Sequence, residues 1–81
     1  MWIRNTQTDE MINISDCKKI VKQNWHYDSS NNRFGIYFGY IKDSTSLDFK
    51  EDEKGRDNFY QHIISIAKPL DVDPNKKPIK L

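Results

Sequence analysis

The order of apolar and polar residues changes character once along the chain, near Lys50. Before this point, apolar residues alternate with polar ones in short runs separated by turn-forming clusters, which is typical of β-strands. The pattern predicts five strands, over residues 2–5, 10–14, 18–28, 33–42 and 46–50. Beyond it, apolar residues recur at helical spacing, which predicts one helix that begins in the acidic run 51–53 and ends before Pro69. The predicted fold class is therefore α+β: a five-stranded antiparallel meander sheet with one C-terminal helix packed on its aromatic face.

The apolar pattern also predicts how the two long strands pair, because opposed residues of antiparallel strands lie on the same face. We expect Asp28 opposite Arg33, joined by a loop over residues 29–32. One face then receives most of the apolar residues, namely Val21, Trp25, Tyr27, Phe34, Ile36, Phe38 and Tyr40. The other face is expected to be open to solvent and carries Lys22, Asn24, His26, Gly35, Tyr37 and Gly39, with Ile20 and Ile41 at one end.

The two outer hairpins are constrained to different degrees. A pairing of Lys42 with Thr45 brings the apolar residues of the fifth strand onto the same apolar face. In the first hairpin the register is open, since either Trp2 or Ile3 could lie inside with Ile12.

The predicted helix has two apolar flanks. The main stripe faces the sheet and consists of Phe59, Ile63 and Ile66. Gly55 lies one turn earlier, where we expect close approach to a large ring. The second flank, turned to one side, consists of Tyr60, Ile64 and Ala67, and either the tail or another chain covers it. The candidate interaction surface combines this flank with the open sheet face and comprises Tyr60, Ile64, Ala67, Lys22, His26 and Tyr37.

Length and composition indicate a single small domain. Hydrophobic residues make up 36% and charged residues 31% of the 81 residues, which is enough apolar surface for a globular fold rather than a disordered chain. All three prolines lie within residues 69–81. We therefore predict one globular sheet-plus-helix domain over residues 1–68 and a proline-containing extended tail over 69–81.

Charge and cysteine usage bear on partners and location. Thirteen Lys and Arg against twelve Asp and Glu leave a net charge of +1, which provides little attraction toward phosphate backbones or anionic lipid. Cys17 is the single cysteine and the N-terminus lacks a basic-then-apolar signal pattern, so we expect a cytoplasmic protein. No apolar run approaches the roughly 20 residues that span a bilayer, so no membrane association is expected.

Sequence signals for catalysis or cofactor binding are few. The stretch "RFGIYFGY", residues 33–40, alternates aromatic residues and glycines as base-stacking strands do, but its glycines do not match the RNA-recognition motif in register. His26 and His62 lie far apart, and one cysteine gives no paired metal-ligand spacing. No serine or cysteine has an evident positioned base. We therefore expect no metal site, no cofactor and no enzymatic activity.

The opening "MWIRN", followed by an acidic turn and "MINI", resembles the start of a group of short uncharacterised bacterial proteins. These proteins begin Met-Trp-Ile-Arg and continue as a small sheet with a C-terminal helix. The resemblance covers the first fourteen residues and, beyond them, the order of elements. It implies a compact, pleckstrin-homology-like sheet capped by a helix, and it assigns no site residue.

The residues left outside the predicted core favour a non-enzymatic protein–protein interaction module. The expected partner is another protein or a second copy of the chain, as a homodimer. The alternative is weak nucleic-acid binding through Arg33, Lys22 and Tyr37 on the open face, or through the basic tail residues Lys76, Lys77 and Lys80. A small hydrolase that uses a histidine is a more distant alternative.

Overall fold

The computed structural model describes residues 1–28 and 31–75, with the backbone alone for residues 26–28 and 31. The elements follow one another as β1 (Trp2–Asn5), β2 (Glu10–Asn13), a 3-10 turn (Ile14–Asp16), β3 (Lys19–Asp28), β4 (Asn31–Gly39), β5 (Ser44–Asp48) and α1 (Glu53–Ala67). Every strand pair among these residues is antiparallel. The predicted α+β class with a C-terminal helix is confirmed.

The strands form two sheets, so the predicted five-stranded meander is wrong. β1 and β2 make one sheet, and β3, β4 and β5 make the other with β4 in the centre. The chain leaves the first sheet at Asn13, whose side-chain carbonyl accepts the Ser15 N–H at 3.1 Å and so caps the 3-10 turn. The Ile14 N–H donates to the Met1 carbonyl at 2.9 Å. The Ile14 bond continues the pairing of β1 with β2, and the capped turn then redirects the backbone before β3 begins.

From Lys19 to His26 the register of β3 against β4 differs from the prediction by three residues, and Asp28 lies opposite Asn31 instead of the predicted Arg33. Trp25 lies opposite Arg33, and Lys22 lies opposite Ile36. Because a shift by an odd number exchanges the two faces of a strand, the predicted faces of β3 are wrong. β3 directs Ile20, Lys22 and Asn24 toward the helix side of the sheet, and Val21 and Trp25 toward the outer side.

Two features of the structure explain why the apolar residues of β3 lie outside. The Trp25 ring covers Gly35 on the outer side, so closely that a Cβ added to Gly35 would overlap the ring. On the helix side, the polar residues of β3 meet polar partners: Asp57 binds Lys22 and Arg56 binds Asn24. Neither contact can be predicted from the alternation of apolar residues alone.

The β4–β5 hairpin keeps the predicted faces with a different pairing. Thr45 lies opposite Phe38 instead of its predicted partner Lys42, and these two residues of β4 and the following turn are four positions apart. The Tyr40 N–H donates to the Asp43 carbonyl at 2.9 Å and closes the turn directly after β4, two residues earlier in the chain than expected. A shift of four residues is even, and Leu47 therefore stays on the core face, where 8% of it is exposed.

The core lies between the helix side of the larger sheet, the β1–β2 hairpin and α1. Its buried apolar side chains among the described residues are Ile12, Ile36, Phe38, Leu47 and Ile63. In the first hairpin Ile3 packs against this cluster, whereas Trp2 is 60% exposed, which resolves the open register. Since four of these five side chains are aliphatic, the buried face is not an aromatic one. The rings of Tyr40, Phe49 and Phe59 contact it from the sides.

Helix α1 begins and ends close to the predicted positions. Its N-cap is Asp52, whose carboxylate accepts the Gly55 N–H at 2.8 Å. The predicted ring beside Gly55 is wrong, because the close neighbour of that glycine is the Asp52 carboxyl group. The predicted burial of Ile66 is wrong as well, since 46% of this residue is exposed.

The buried stripe of α1 begins instead with a charged residue, Arg56, which is 4% exposed. Its guanidinium donates to the carbonyls of Gln23 and Gly35, at 2.7 and 3.3 Å, from above the β3–β4 ladder. It also lies 5.2 Å from the centroid of the Phe34 ring. On the exposed side, its Nε donates to Asp57 at 2.7 Å. Arg56 thus joins the helix to the backbone of the central strands.

Residues 69–75 have no helix or strand and are exposed, and residues 76–81 lie outside the described part of the chain. Leu70 and Val72 are 72% and 73% exposed. No helix within the described residues is long and apolar enough to cross a membrane. The predicted division between domain and tail stays a prediction.

Candidate functional site

The last turns of α1 and the start of β3 border an open groove of about 430 Å³. We call it the C-terminal groove. It is lined by Cys17, Lys18, Lys19, Ile20, Tyr60, Ile63, Ile64, Ala67 and Pro69.

One wall of the C-terminal groove is a face of α1. Tyr60, Ile63, Ile64 and Ala67 follow the spacing that places side chains on one side of a helix. Ile63 is 4% exposed and belongs to the core, Tyr60 and Ile64 are half-buried, and Ala67 is exposed. The exposure of these side chains therefore increases from the core outward, and the wall presents an apolar surface to the groove.

The helix ends where the groove ends. Lys68 has a left-handed backbone conformation with φ of 50°, and its N–H donates to the Ile64 carbonyl at 2.8 Å. Pro69 follows and cannot continue the helix. Pro69 lines the groove where the helix ends.

The other wall is the segment that joins the 3-10 turn to β3. The Cys17 N–H donates to the Ile14 carbonyl at 3.0 Å, and the Lys18 N–H donates to the Gly39 carbonyl at 2.8 Å. Cys17 is half-buried, and Ile20, the second residue of β3, packs against the core. Backbone hydrogen bonds on both sides of Cys17 thus hold this wall in place.

Tyr40 supports the second wall from behind. Its hydroxyl donates to the Asn13 carbonyl at 3.0 Å, and the Cys17 thiol lies 3.7 Å from the same oxygen. Burial, together with the hydrogen bond to the Cys17 thiol, raises the pKa of Tyr40 above its ordinary value. The phenol therefore stays neutral at physiological pH and serves as a hydrogen-bond donor within the fold.

The rim of the C-terminal groove is basic. Lys18 and Lys19 are exposed and line one wall, and Lys68, which lies in the chain between the lining residues Ala67 and Pro69, is exposed as well. Within the described part of the chain, none of these three lysines forms an ion pair. Asp16 precedes Cys17 but does not line the groove, and its carboxylate accepts a hydrogen bond from the Asn13 amide at 2.9 Å.

The structure brings together half of the predicted interaction surface. Tyr60, Ile64 and Ala67 all line the C-terminal groove. The Lys22 ammonium group lies 5.4 Å from the centroid of the Tyr60 ring and 3.6 Å from the Asp57 carboxylate. The predicted place of Lys22 on the open face is therefore wrong, as is that of Ile20.

The other predicted surface residues do not join this site. Tyr37 lies on the outer side of the sheet, where its ring covers Gly39 at 3.0 Å from the position of an added Cβ. Arg33 forms an ion pair with Asp48. For His26 the structure describes the backbone alone, so the place of its side chain stays a prediction. The structure thus separates Tyr37 from Lys22 by the thickness of the sheet.

Prediction from the sequence missed the second wall. Lys18 and Lys19 were assigned no role, and Ile20 was placed on the opposite face. No local signal in the sequence places them, because the register of β3 depends on contacts such as that of the Trp25 ring with Gly35, which the sequence alone does not show.

The surface has other hollows besides the C-terminal groove. Two smaller hollows, of about 280 and 270 Å³, border the β1–β2 hairpin. Within residues 1–28 and 31–75, no three His, Cys, Asp or Glu side chains lie close enough together to hold a metal ion.

A scan against protein-family models found no match, and searches of the curated proteins and of the solved structures found no significant match either. The resemblance to short bacterial proteins beginning Met-Trp-Ile-Arg therefore stays a prediction. The function has to be argued from the geometry and charge of the C-terminal groove.

Proposed function

We propose that the protein is a non-enzymatic, cytoplasmic interaction module that holds a segment of another protein in its C-terminal groove. The observation that carries the proposal is the open apolar groove beside the core, with half-buried Tyr60 and Ile64 on one wall and half-buried Ile20 on the other. Partly exposed apolar side chains that line a concave surface are typical of peptide-binding sites. Burial of these side chains by a partner segment would supply the main favourable term of binding.

The experiment compares two substitutions on the same helix. Ile64→Asp places a charge in the groove, whereas Ile66→Asp places the same charge on an exposed residue outside it. Tagged wild-type protein and both variants are incubated with lysate of the host, with and without nuclease, and the recovered proteins are identified. We expect a partner that wild type and Ile66→Asp retain, that Ile64→Asp loses, and that survives nuclease.

Melting curves of the three proteins serve as the control, because Ile64 is half-buried and its substitution can reduce stability. If a folded Ile64→Asp protein recovers the same partner as wild type, the groove is not the binding site.

Self-association is tested on the same variants. Light scattering of wild type and Ile64→Asp reports whether the groove joins two copies of the chain. A dimer that dissociates in Ile64→Asp but persists in Ile66→Asp would make the partner a second copy.

Nucleic-acid binding is the second candidate, and one observation favours it: the rings of Trp25 and Tyr37 lie over Gly35 and Gly39 on the outer face of the sheet. Aromatic rings on a sheet surface are the usual platform for stacked bases. Loss of all recovered partners after nuclease treatment, with salt-dependent binding of single-stranded probes, would support this candidate over the groove.

A further inference from the structure

The charge around the C-terminal groove indicates what kind of segment it binds. Its α1 wall is apolar, whereas the charged side chains that line the groove are Lys18 and Lys19, and Lys68 lies in the chain between the lining residues Ala67 and Pro69. All three are exposed, and none forms an ion pair with another described residue. By contrast, Lys22, beside the same helix, already has Asp57 as its partner.

We infer that the C-terminal groove binds an acidic segment of a partner protein. The apolar side chains of that segment would pack against the α1 wall, and its carboxylates would lie near the rim lysines. This inference rests on the proposed function and adds the chemistry of the partner. Complementary charge at a rim raises the association rate and selects among apolar segments that would otherwise bind equally well. Lys18 and Lys19 line the wall beside β3, and Lys68 follows Ala67 at the end of the α1 wall.

Two other occupants fit the charge less well. Residues 76–81 of the same chain carry Lys76, Lys77 and Lys80 and no acidic side chain, so this segment would bring further positive charge to a basic rim. A second copy of the groove would likewise place lysines against lysines.

The first experiment identifies the chemistry of the ligand without knowing the partner. Immobilised full-length protein selects from a displayed library of random 12-residue peptides, and the enriched sequences are compared with those from two groove variants. Ile64→Asp adds a charge to the α1 wall. Ala67→Trp adds a large ring to the same wall at an exposed position that tolerates substitution. We expect wild type to enrich peptides with Asp and Glu next to large apolar residues, and both variants to lose them.

The second experiment measures one enriched peptide on charge variants. Lys18→Glu/Lys19→Glu is expected to weaken its binding about fivefold or more at low salt, with a smaller effect at high salt. Lys42→Glu/Lys54→Glu is the matched control, because it changes the net charge equally at two exposed lysines outside the groove. This control should bind the peptide within about twofold of wild type.

Cys17 reports directly on occupancy of the groove. It is the single cysteine of the chain and lines the groove, so a thiol-alkylating reagent labels one known position. The bound peptide should slow this alkylation in wild type and in Lys42→Glu/Lys54→Glu.

The outcomes distinguish the inference from the proposed function. Groove-dependent peptides without an acidic excess, bound equally by Lys18→Glu/Lys19→Glu, would overturn the acidic partner and leave the interaction module standing. If no peptide binds in a way that the groove variants abolish, both the acidic partner and the proposed interaction module are overturned. Peptide binding that appears only when residues 76–81 are removed would identify the tail as the occupant, and a groove-dependent dimer in light scattering would identify a second copy; either result overturns the inference.

Discussion

At the scale of single residues, Gly35 holds an unusual position in the sheet. The Trp25 ring covers it on the outer side, and the Arg56 guanidinium donates to its carbonyl from the helix side. A position covered closely on both sides of the sheet leaves no room for a side chain. The sequence shows an alternation of glycine and aromatic residues here, but it does not show which ring covers which glycine, because that depends on strand register.

Gly35→Ala is therefore expected to destabilise the protein by about 1–3 kcal/mol, since the new methyl group would overlap the Trp25 ring and would lie 2.7 Å from the Leu47 carbonyl oxygen. Urea unfolding followed by circular dichroism measures the change. Gly39→Ala is the matched control and should cost less, because its new methyl group meets the edge of the Tyr37 ring at 3.0 Å. Equal stability of the two variants would contradict the packing described for Trp25.

Asp57 provides a prediction about pH. The hydrogen bond from Arg56 is the main cause that lowers the pKa of the Asp57 carboxyl group below its ordinary value. A carboxyl group with a lowered pKa in the folded state stabilises that state above the unfolded pKa, and this contribution disappears as the pH falls through the folded pKa. Asp57→Asn should therefore be less stable than wild type at pH 7, and the difference should shrink below about pH 4.

Urea midpoints of wild type and Asp57→Asn between pH 7 and pH 2.5 test this linkage. Asp71→Asn, an exposed aspartate beyond the helix, is the comparison. A difference between Asp57→Asn and wild type that persists unchanged at the lowest pH would show that the carboxylate charge is not the cause.

At the scale of elements, prediction succeeded where the signals are local. The bounds of α1 followed from the acidic run at its start and from Pro69 at its end, and both act within a turn of the helix. The pairing of β3 with β4 could not be predicted, because the partners of Lys22 and Asn24 on the helix side are Asp57 and Arg56 of α1. These partners are more than thirty residues away in the chain, so no alternation within β3 reveals them.

The cap of α1 is open to a direct test. Asp52→Ala removes the carboxylate that accepts the Gly55 N–H, and it should cost about 1 kcal/mol because a donor of the first turn loses its partner. Glu51→Ala, one residue earlier and outside the cap, should leave the free energy of unfolding within about 0.5 kcal/mol of wild type. Chemical denaturation of both variants measures the difference. A loss of stability in Glu51→Ala as large as that in Asp52→Ala would assign the effect to general charge at the helix start.

At the scale of the whole molecule, a small hairpin sheet and one helix share a single core with the larger sheet. Ile12 from the hairpin, Ile63 from the helix and Ile36 from the sheet meet in one buried cluster. The sequence predicted each of these as an inward residue, but it did not predict that β1 and β2 form their own sheet. The separation depends on the capped turn at Asn13, and a strand pattern that continues through Ile14 conceals it.

The tail beyond Pro69 should contribute little to stability. Leu70 and Val72 are largely exposed, and residues 69–75 contain no helix or strand. A chain that ends at Pro69 is therefore expected to melt within about 3 °C of the full chain, since exposed residues bury little surface on folding. Circular dichroism melting of both chains measures this. A much lower melting temperature for the shortened chain would mean that the tail packs on the domain.

The inward position of Lys22 has one further consequence, for solubility. β3 is ten residues long and forms one edge of its sheet, and long unpaired edges tend to recruit strands from other molecules. A charged side chain on the helix side of such an edge hinders this recruitment, because a strand added by another molecule would cover part of the exposed Lys22–Asp57 pair. The Lys22–Asp57 pair is therefore expected to oppose edge-to-edge pairing along the longest strand of the fold.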